Sequence, residues 1–163
     1  MYIIEVAELP QQLALLDHYD QISNPLLTNG MLTATRLVRD SAAANAPSFS
    51  GELAGSMSSR VTSDRSVVIG EVYSSASNPI YPLVMEYGRT PGKKPPPTSA
   101  IVVWVEAVLG DASLAYVVAR SIGRKGIKGK HFLKRAWDEH RPAVLGMFKL
   151  IADQIADRLS IGG

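Results

Sequence analysis

The 163-residue chain contains no cysteine, so it has no disulfide, no thiolate metal site and no cysteine nucleophile. Aromatic residues make up only 7% and charged residues 20%, but 46% are hydrophobic, which excludes a disordered chain. No apolar run reaches the roughly 20 residues of a membrane-spanning helix, and the first ten residues lack the basic start of a signal peptide. We therefore expect a soluble, intracellular protein with a single domain over residues 1–163.

The net charge of +2 hides a strong asymmetry along the chain. The segment from Arg89 to Arg135 holds ten basic and two acidic residues, a net charge of +8. The rest holds seven basic and 13 acidic residues, a net charge of −6. This split favours binding of an anion or head-to-tail contact between copies, with a merely solvated basic loop as the alternative.

Helical periodicity predicts helices towards both ends of the chain, and β-branched runs predict strands near its start and middle. Asn24 and Asp138 are typical helix N-caps, and the prolines that follow them fit a first helical turn. We expect strands at Tyr2–Val6, Arg60–Thr62 and Ser66–Tyr73, and helices at Gln11–Ile22, Leu26–Ala44, Ile80–Tyr87, Ala100–Leu109, Ala112–Ser121 and from Asp138 onward. The pattern predicts an α+β fold, with a small antiparallel hairpin packed against a long N-terminal helix and a C-terminal helix.

Two basic segments rich in proline and glycine are candidate partner-binding elements. Residues 89–99 contain three consecutive prolines, which favour an extended polyproline-II arm and exclude helix. Residues 122–130 are predicted to form a loop rich in glycine, lysine and arginine. Within this loop Gly123-Arg124-Lys125-Gly126 is similar to the GXXG loop of KH domains, which clamps a nucleic-acid backbone. A nucleic-acid-binding protein is therefore the alternative hypothesis.

Convergent reactive groups are lacking in the sequence. His131, Asp138 and His140 are close in sequence, but their spacing matches no common metal site. No Gly-x-Ser-x-Gly nucleophile elbow occurs. We expect neither enzymatic activity nor a metal or other cofactor.

Three short elements follow one another over most of the chain. The first is Ala46-Pro47-Ser48-Phe49-Ser50-Gly51-Glu52-Leu53-Ala54-Gly55-Ser56; the second is Tyr81-Pro82-Leu83-Val84-Met85-Glu86-Tyr87-Gly88; the third is His131-Phe132-Leu133-Lys134-Arg135-Ala136. In their order and spacing they resemble the tail-completion and neck proteins of long-tailed bacteriophages, a putative tail-component family. His131 stands where that family has proline, and residues 89–129 exceed its minimal form by the triproline arm and two helices.

The resemblance implies a structural virion protein rather than an enzyme. Such a protein assembles as a ring, for example of six or twelve copies, and joins the tail to the head. Its partners would be its own copies, other connector and tail proteins and, without sequence preference, the packaged DNA; no membrane contact is implied. It would be found in the host cytoplasm during assembly and then at the head–tail junction of the virion.

Three sets of residues carry these expectations. The candidates for contact between subunits or partners are Glu86, Arg89, Lys93, Lys94, Pro95, Pro96, Pro97, Arg124, Lys125, Lys128 and Lys130. The candidates for contact with DNA in the lumen are Arg120, Arg124, Lys125, Lys128 and Lys130. The structural residues of the three elements are Pro47, Gly51, Leu53, Tyr81, Tyr87, Gly88, Phe132 and Ala136, to which Val84 is added as a core position. We expect Glu86, a carboxylate in an apolar turn, to meet a cation, or alternatively to lie on a solvated face.

Overall fold

A computed structural model describes residues 9–47, 51–64 and 67–161, and the chain is an α+β protein as predicted. The helices are α1 (Leu9–Asn45), α2 (Glu52–Gly55), α3 (Ile80–Tyr87), α4 (Val102–Leu109), α5 (Ala115–Lys125) and α6 (Phe132–Ile161). The strands are β1 (Met57–Asp64), β2 (Val67–Ser74), β3 (Gly88–Arg89) and β4 (Ile127–Lys128). They form two two-stranded sheets, β1 with β2 and β3 with β4. The predicted strand Tyr2–Val6 lies outside the described residues.

The chain divides into two compact units. The first comprises Met1–Arg39, Ser59–Val72 and Glu139–Gly163, and the second comprises Asp40–Ser58 and Tyr73–Asp138. That residues 1–163 form a single domain stays a prediction. Within the described residues, none of the helices combines the length and the apolarity that crossing a bilayer requires.

In the first unit, the N-terminal part of α1 packs against the C-terminal part of α6 and against the hairpin. Its buried apolar side chains are Ala34, Val38, Val144, Ile151 and Ile155. Gly70 in β2 lies so close to α1 that a Cβ atom there would come within 2.5 Å of Met31 Sδ and of Thr35 Cγ2. The hairpin therefore rests on α1 at a point where any side chain would obstruct the contact.

The boundary predicted at Asn24-Pro25 is wrong, because α1 continues through Pro25 without a break. Asn24 does not cap a helix. Its Oδ1 accepts hydrogen bonds from Ser63 Oγ of the hairpin at 2.8 Å and from Thr28 Oγ1 at 3.2 Å. A hydrogen bond from the hairpin holds α1 at Asn24, and α1 packs closely on Ile151 of α6 at Gly30. These tertiary contacts on both sides of Pro25 offset the roughly 3 kcal/mol that an interior proline costs.

In the second unit, the core is built from small side chains around three larger ones. Leu53, Val105 and Phe132 have less than 2% of their surface exposed, and Ala42, Ala119 and Ala136 fill the space between the helices. Buried Ser56 donates to the Leu53 carbonyl at 2.8 Å and shares a 2.7 Å hydrogen bond with Ser74 Oγ, which ties the α2 turn to the end of β2. Residues 52–55 form a helical turn that follows Gly51 at φ 70° and leads into β1.

The helices predicted over 100–121 are present with shifted bounds. The first predicted helix was expected to begin at Ala100, after Ser99 as its cap, but Thr98–Ala100 form a 3₁₀ turn and α4 begins at Val102. Helix α4 ends at Leu109 as predicted, and Gly110 after it has the left-handed conformation. Asp111 accepts a 2.8 Å hydrogen bond from the Ser113 amide. Hydrogen bonding to the Ser113 side chain, and then to this amide, lowers the pKa of the Asp111 carboxyl. The next helix, α5, runs four residues beyond its predicted end, to Lys125.

Replacing Gly70 with alanine should destabilise the first unit by about 1–3 kcal/mol, because the new methyl group overlaps the Thr35 side chain, which is stiff at χ1. Urea unfolding followed by circular dichroism measures the change. Gly55→Ala is the matched control, since a Cβ atom at this helical glycine meets nothing within 4 Å. Equal stability of the two variants would contradict the close contact between β2 and α1.

Candidate assembly site

Glu86 lies at the centre of the second unit with only 6% of its surface exposed. It stands in the last turn of α3, and its carboxylate reaches the first turn of α6. Oε2 accepts from the Leu133 amide at 2.9 Å, and Oε1 accepts from the Lys134 amide at 3.1 Å. The partners of this carboxylate are therefore main-chain amides and not the cation that we expected.

Because the first amides of a helix have no partner within the helix and carry partial positive charge, a carboxylate is well suited to bind them. The cap on α6 is thus supplied by a residue 47 positions earlier in the chain. This corrects the predicted helix start, since α6 begins at Phe132 and contains both Asp138 and Pro142 in its interior. Asp138 instead forms an ion pair with Lys134 one turn before it.

Main-chain hydrogen bonds reinforce the junction between α3 and α6. The Lys130 amide donates to the Met85 carbonyl at 2.7 Å, and the His131 amide donates to the Glu86 carbonyl at 3.1 Å. His131 has φ 51°, an angle that proline cannot adopt, and proline also lacks the amide used here. A proline at position 131 would therefore break this junction.

A short antiparallel ladder between β3 and β4 joins the two ends of the segment that runs from Arg89 to Ile127. Gly88 lies opposite Lys128, and Arg89 lies opposite Ile127. Gly126 has φ 74°, and a Cβ atom there would overlap the Arg89 carbonyl oxygen. Only glycine allows the two strands to approach this closely while the chain leaves α5.

The proline-rich arm is held against α5. The Arg89 guanidinium donates to the Lys94 carbonyl, and the backbone before Pro95 passes α5 at Gly123. A Cβ atom at Gly123 would come within 2.9 Å of both the Lys93 carbonyl oxygen and Pro95 Cγ. Pro97 has φ −57° and ψ 138°, in the polyproline-II region. The extended arm predicted over residues 89–99 is present only in part, because residues 91–93 form a turn and a 3₁₀ turn begins at Thr98.

The predicted 122–130 loop is largely regular structure. Residues 122–125 are the last turn of α5, and Ile127–Lys128 form β4. Gly123 is buried within the helix, so a GXXG loop open to a nucleic-acid backbone is not formed at residues 123–126. The side chains of most predicted cationic contacts are nevertheless exposed, namely Lys93, Lys94, Arg120, Arg124, Lys125, Lys128 and Lys130.

The helices around this site carry exposed apolar side chains that the sequence reasoning missed. On α4 only Val105 is buried, while Val103 is 71%, Val108 49% and Leu109 48% exposed. On α3 Tyr87 is 74% exposed and Ile80 and Leu83 also face solvent. The sequence of α4 gave no signal of this exposure, since seven of its eight residues are apolar and the helix has no polar face that would mark its solvent side.

The structural residues of the three motif elements divide into buried and exposed groups. Leu53, Phe132 and Ala136 are in the core, whereas Tyr81 and Val84 are only half-buried. Burial, followed by the nearby Glu52 charge, raises the pKa of the Tyr81 hydroxyl. Pro47 follows the end of α1 as predicted, and Gly51 and Gly88 both have positive φ.

Replacing Glu86 with alanine should destabilise the second unit by about 2–4 kcal/mol, because two buried amides lose their acceptor. Hydrogen exchange should accelerate at the Leu133 and Lys134 amides and less at the C-terminal end of α6. Glu106→Ala, on the exposed surface of α4, is the matched control and should leave these amides unchanged. Unchanged exchange in Glu86→Ala would show that the carboxylate does not cap α6.

The chain matches no family model, no curated protein and no solved structure. Its function therefore has to be argued from its own residues. These are an internal carboxylate cap, an arm held against α5, and helices that expose apolar and cationic side chains together.

Proposed function

We propose that this protein is a structural component of a phage head–tail connector, a tail-completion or neck protein that assembles into a ring. The supporting observation is the apolar surface of α4, where Val103, Val108 and Leu109 are exposed around a single buried valine. Large exposed apolar patches mark interaction surfaces in folded proteins. The resemblance of the three short sequence elements to tail-completion and neck proteins suggests that the assembly is a ring at the head–tail junction.

The second unit combines what such a ring needs in one place. A ring requires a heterologous contact, in which one patch of a subunit meets a different patch of the next. Burial of the apolar side chains on α4 would stabilise the contact between subunits. The cations on α5 and β4 would orient the neighbouring subunit through its acidic groups. The rigid cap on Glu86 fixes the position of α3 relative to the start of α6 and so makes this surface well defined.

Self-association should depend on the α4 surface. The double variant Val103→Asp with Val108→Asp should lose the ring, because charged groups replace apolar area that assembly buries. Light scattering after size exclusion and negative-stain electron microscopy measure the assembled fraction. Glu106→Gln on the same helix is the control and should assemble normally. A wild-type protein that stays monomeric at high concentration, alone and with connector partners, would overturn the proposed ring.

The basic surface at the end of α5 and on β4 can contact DNA that passes through the ring. The double variant Lys125→Glu with Lys128→Glu should then weaken retention of double-stranded DNA, with an effect that fades as salt rises. Fluorescence anisotropy of a labelled duplex at two salt concentrations measures the binding. If the variant keeps DNA binding but loses the ring, these lysines are subunit contacts and do not face the lumen.

A further inference from the structure

Helix α5 carries an exposed stripe with one apolar and two cationic residues. Val117 is 61% exposed, and Arg120 and Arg124 are also exposed. Their spacing of i, i+3 and i+7 places them within an arc of about 60° over roughly 10 Å of the helix. Among the residues that the structure describes, neither arginine has an ion-pair partner.

Helix α6 carries a stripe of the opposite charge with the same spacing. Leu150 is 64% exposed, and Asp153 and Asp157 are exposed at i+3 and i+7 from it. The opposite face of this part of α6 is buried through Ile151 and Ile155. Neither aspartate forms an ion pair within the described part of the chain.

The two stripes match when the helices run parallel. Val117 then lies opposite Leu150, Arg120 opposite Asp153, and Arg124 opposite Asp157. An antiparallel arrangement keeps the charge pairing but moves each apolar residue away from the other. Apolar contact together with two opposite charge pairs is the pattern that sets both affinity and register in paired helices.

We propose that α5 of one copy docks in parallel on α6 of the next copy, with Val117 against Leu150 and two Arg–Asp pairs beside them. The contact is heterologous, because the cationic stripe meets the acidic stripe, so each copy keeps one free stripe for a further neighbour. It would provide the head-to-tail step of the proposed ring, and it rests on that proposed self-assembly. The occupant is a second copy because the chain itself carries the complementary stripe.

Charge reversal tests the pairing. Arg120→Glu with Arg124→Glu, and separately Asp153→Lys with Asp157→Lys, should each raise the concentration at half-assembly by about tenfold or more in about 50 mM salt. An equimolar mixture of the two variants should assemble again, because each reversed stripe then meets its complement. The fourfold variant should also assemble. Circular dichroism confirms the fold, since all four positions are exposed.

The register can be tested covalently because the chain has no cysteine of its own. Val117→Cys with Leu150→Cys should form disulfides between copies under mild oxidation and give a ladder of covalent oligomers, since a disulfide needs Cβ atoms about 4 Å apart. Val117→Cys with Leu145→Cys is the matched control. Leu145 is 55% exposed but lies on another side of α6, so it should not cross-link.

Several outcomes would overturn the pairing. Assembly of both charge-reversed variants at the wild-type concentration would do so, as would failure of the mixture and the fourfold variant to recover. A disulfide within one chain would show that the stripes meet inside a copy and not between copies. Loss of DNA retention with unchanged assembly would make the arginine stripe a nucleic-acid contact. If wild-type assembly depends on α4 while charge reversal has no effect, the proposed ring survives and only this helix pairing fails.

Discussion

The second unit depends on one interaction, the cap that the Glu86 carboxylate places on the first turn of α6. A buried carboxylate is unfavourable unless its oxygens are hydrogen-bonded, and the helix N-terminus offers amides that are themselves unpaired. Each group therefore removes the cost of burying the other. The same contact positions α3, the β3–β4 ladder and Phe132, whose ring is fully buried at the start of α6. Loss of this cap would therefore release the scaffold that supports the candidate assembly surface.

Patterns of local origin were predicted well from the sequence. The end of α1 before Pro47, the hairpin, α3 and the left-handed Gly110 all follow from residues close to each other in the chain. The errors occur where contacts with residues distant in sequence determine where a helix begins. Helix α1 continues through Pro25 where distant residues of the hairpin and of α6 contact it, and α6 begins early where Glu86 caps it. No local rule could place either helix boundary, since a proline after a typical cap residue favours a helix start in both cases.

The candidate contact residues were only partly predictable for a similar reason. Cationic side chains at the end of α5 are exposed, as their charge alone suggests. Arg89 is different, because its guanidinium binds the Lys94 carbonyl and holds the arm. The apolar exposure of α4 had no sequence signal that separates it from a core helix, since both are apolar all round. Whether such a helix is buried depends on what other elements, or other copies, cover it.

The ladder between β3 and β4 has a consequence for how this protein can change during evolution. It pairs Arg89 with Ile127, so the two ends of the segment between these residues lie next to each other. This segment, here called the excursion, contains the arm, α4 and α5. The Glu86 cap lies outside it, because Glu86 precedes β3 and α6 follows β4. Loop closure becomes only slowly more costly with length, so the exposed parts of the excursion can lengthen or shorten while the ladder stays closed, provided that Val105 and Ala119 remain in the core. Such an arrangement lets the exposed surface of the arm, α4 and α5 change while the Glu86 cap that supports it stays intact.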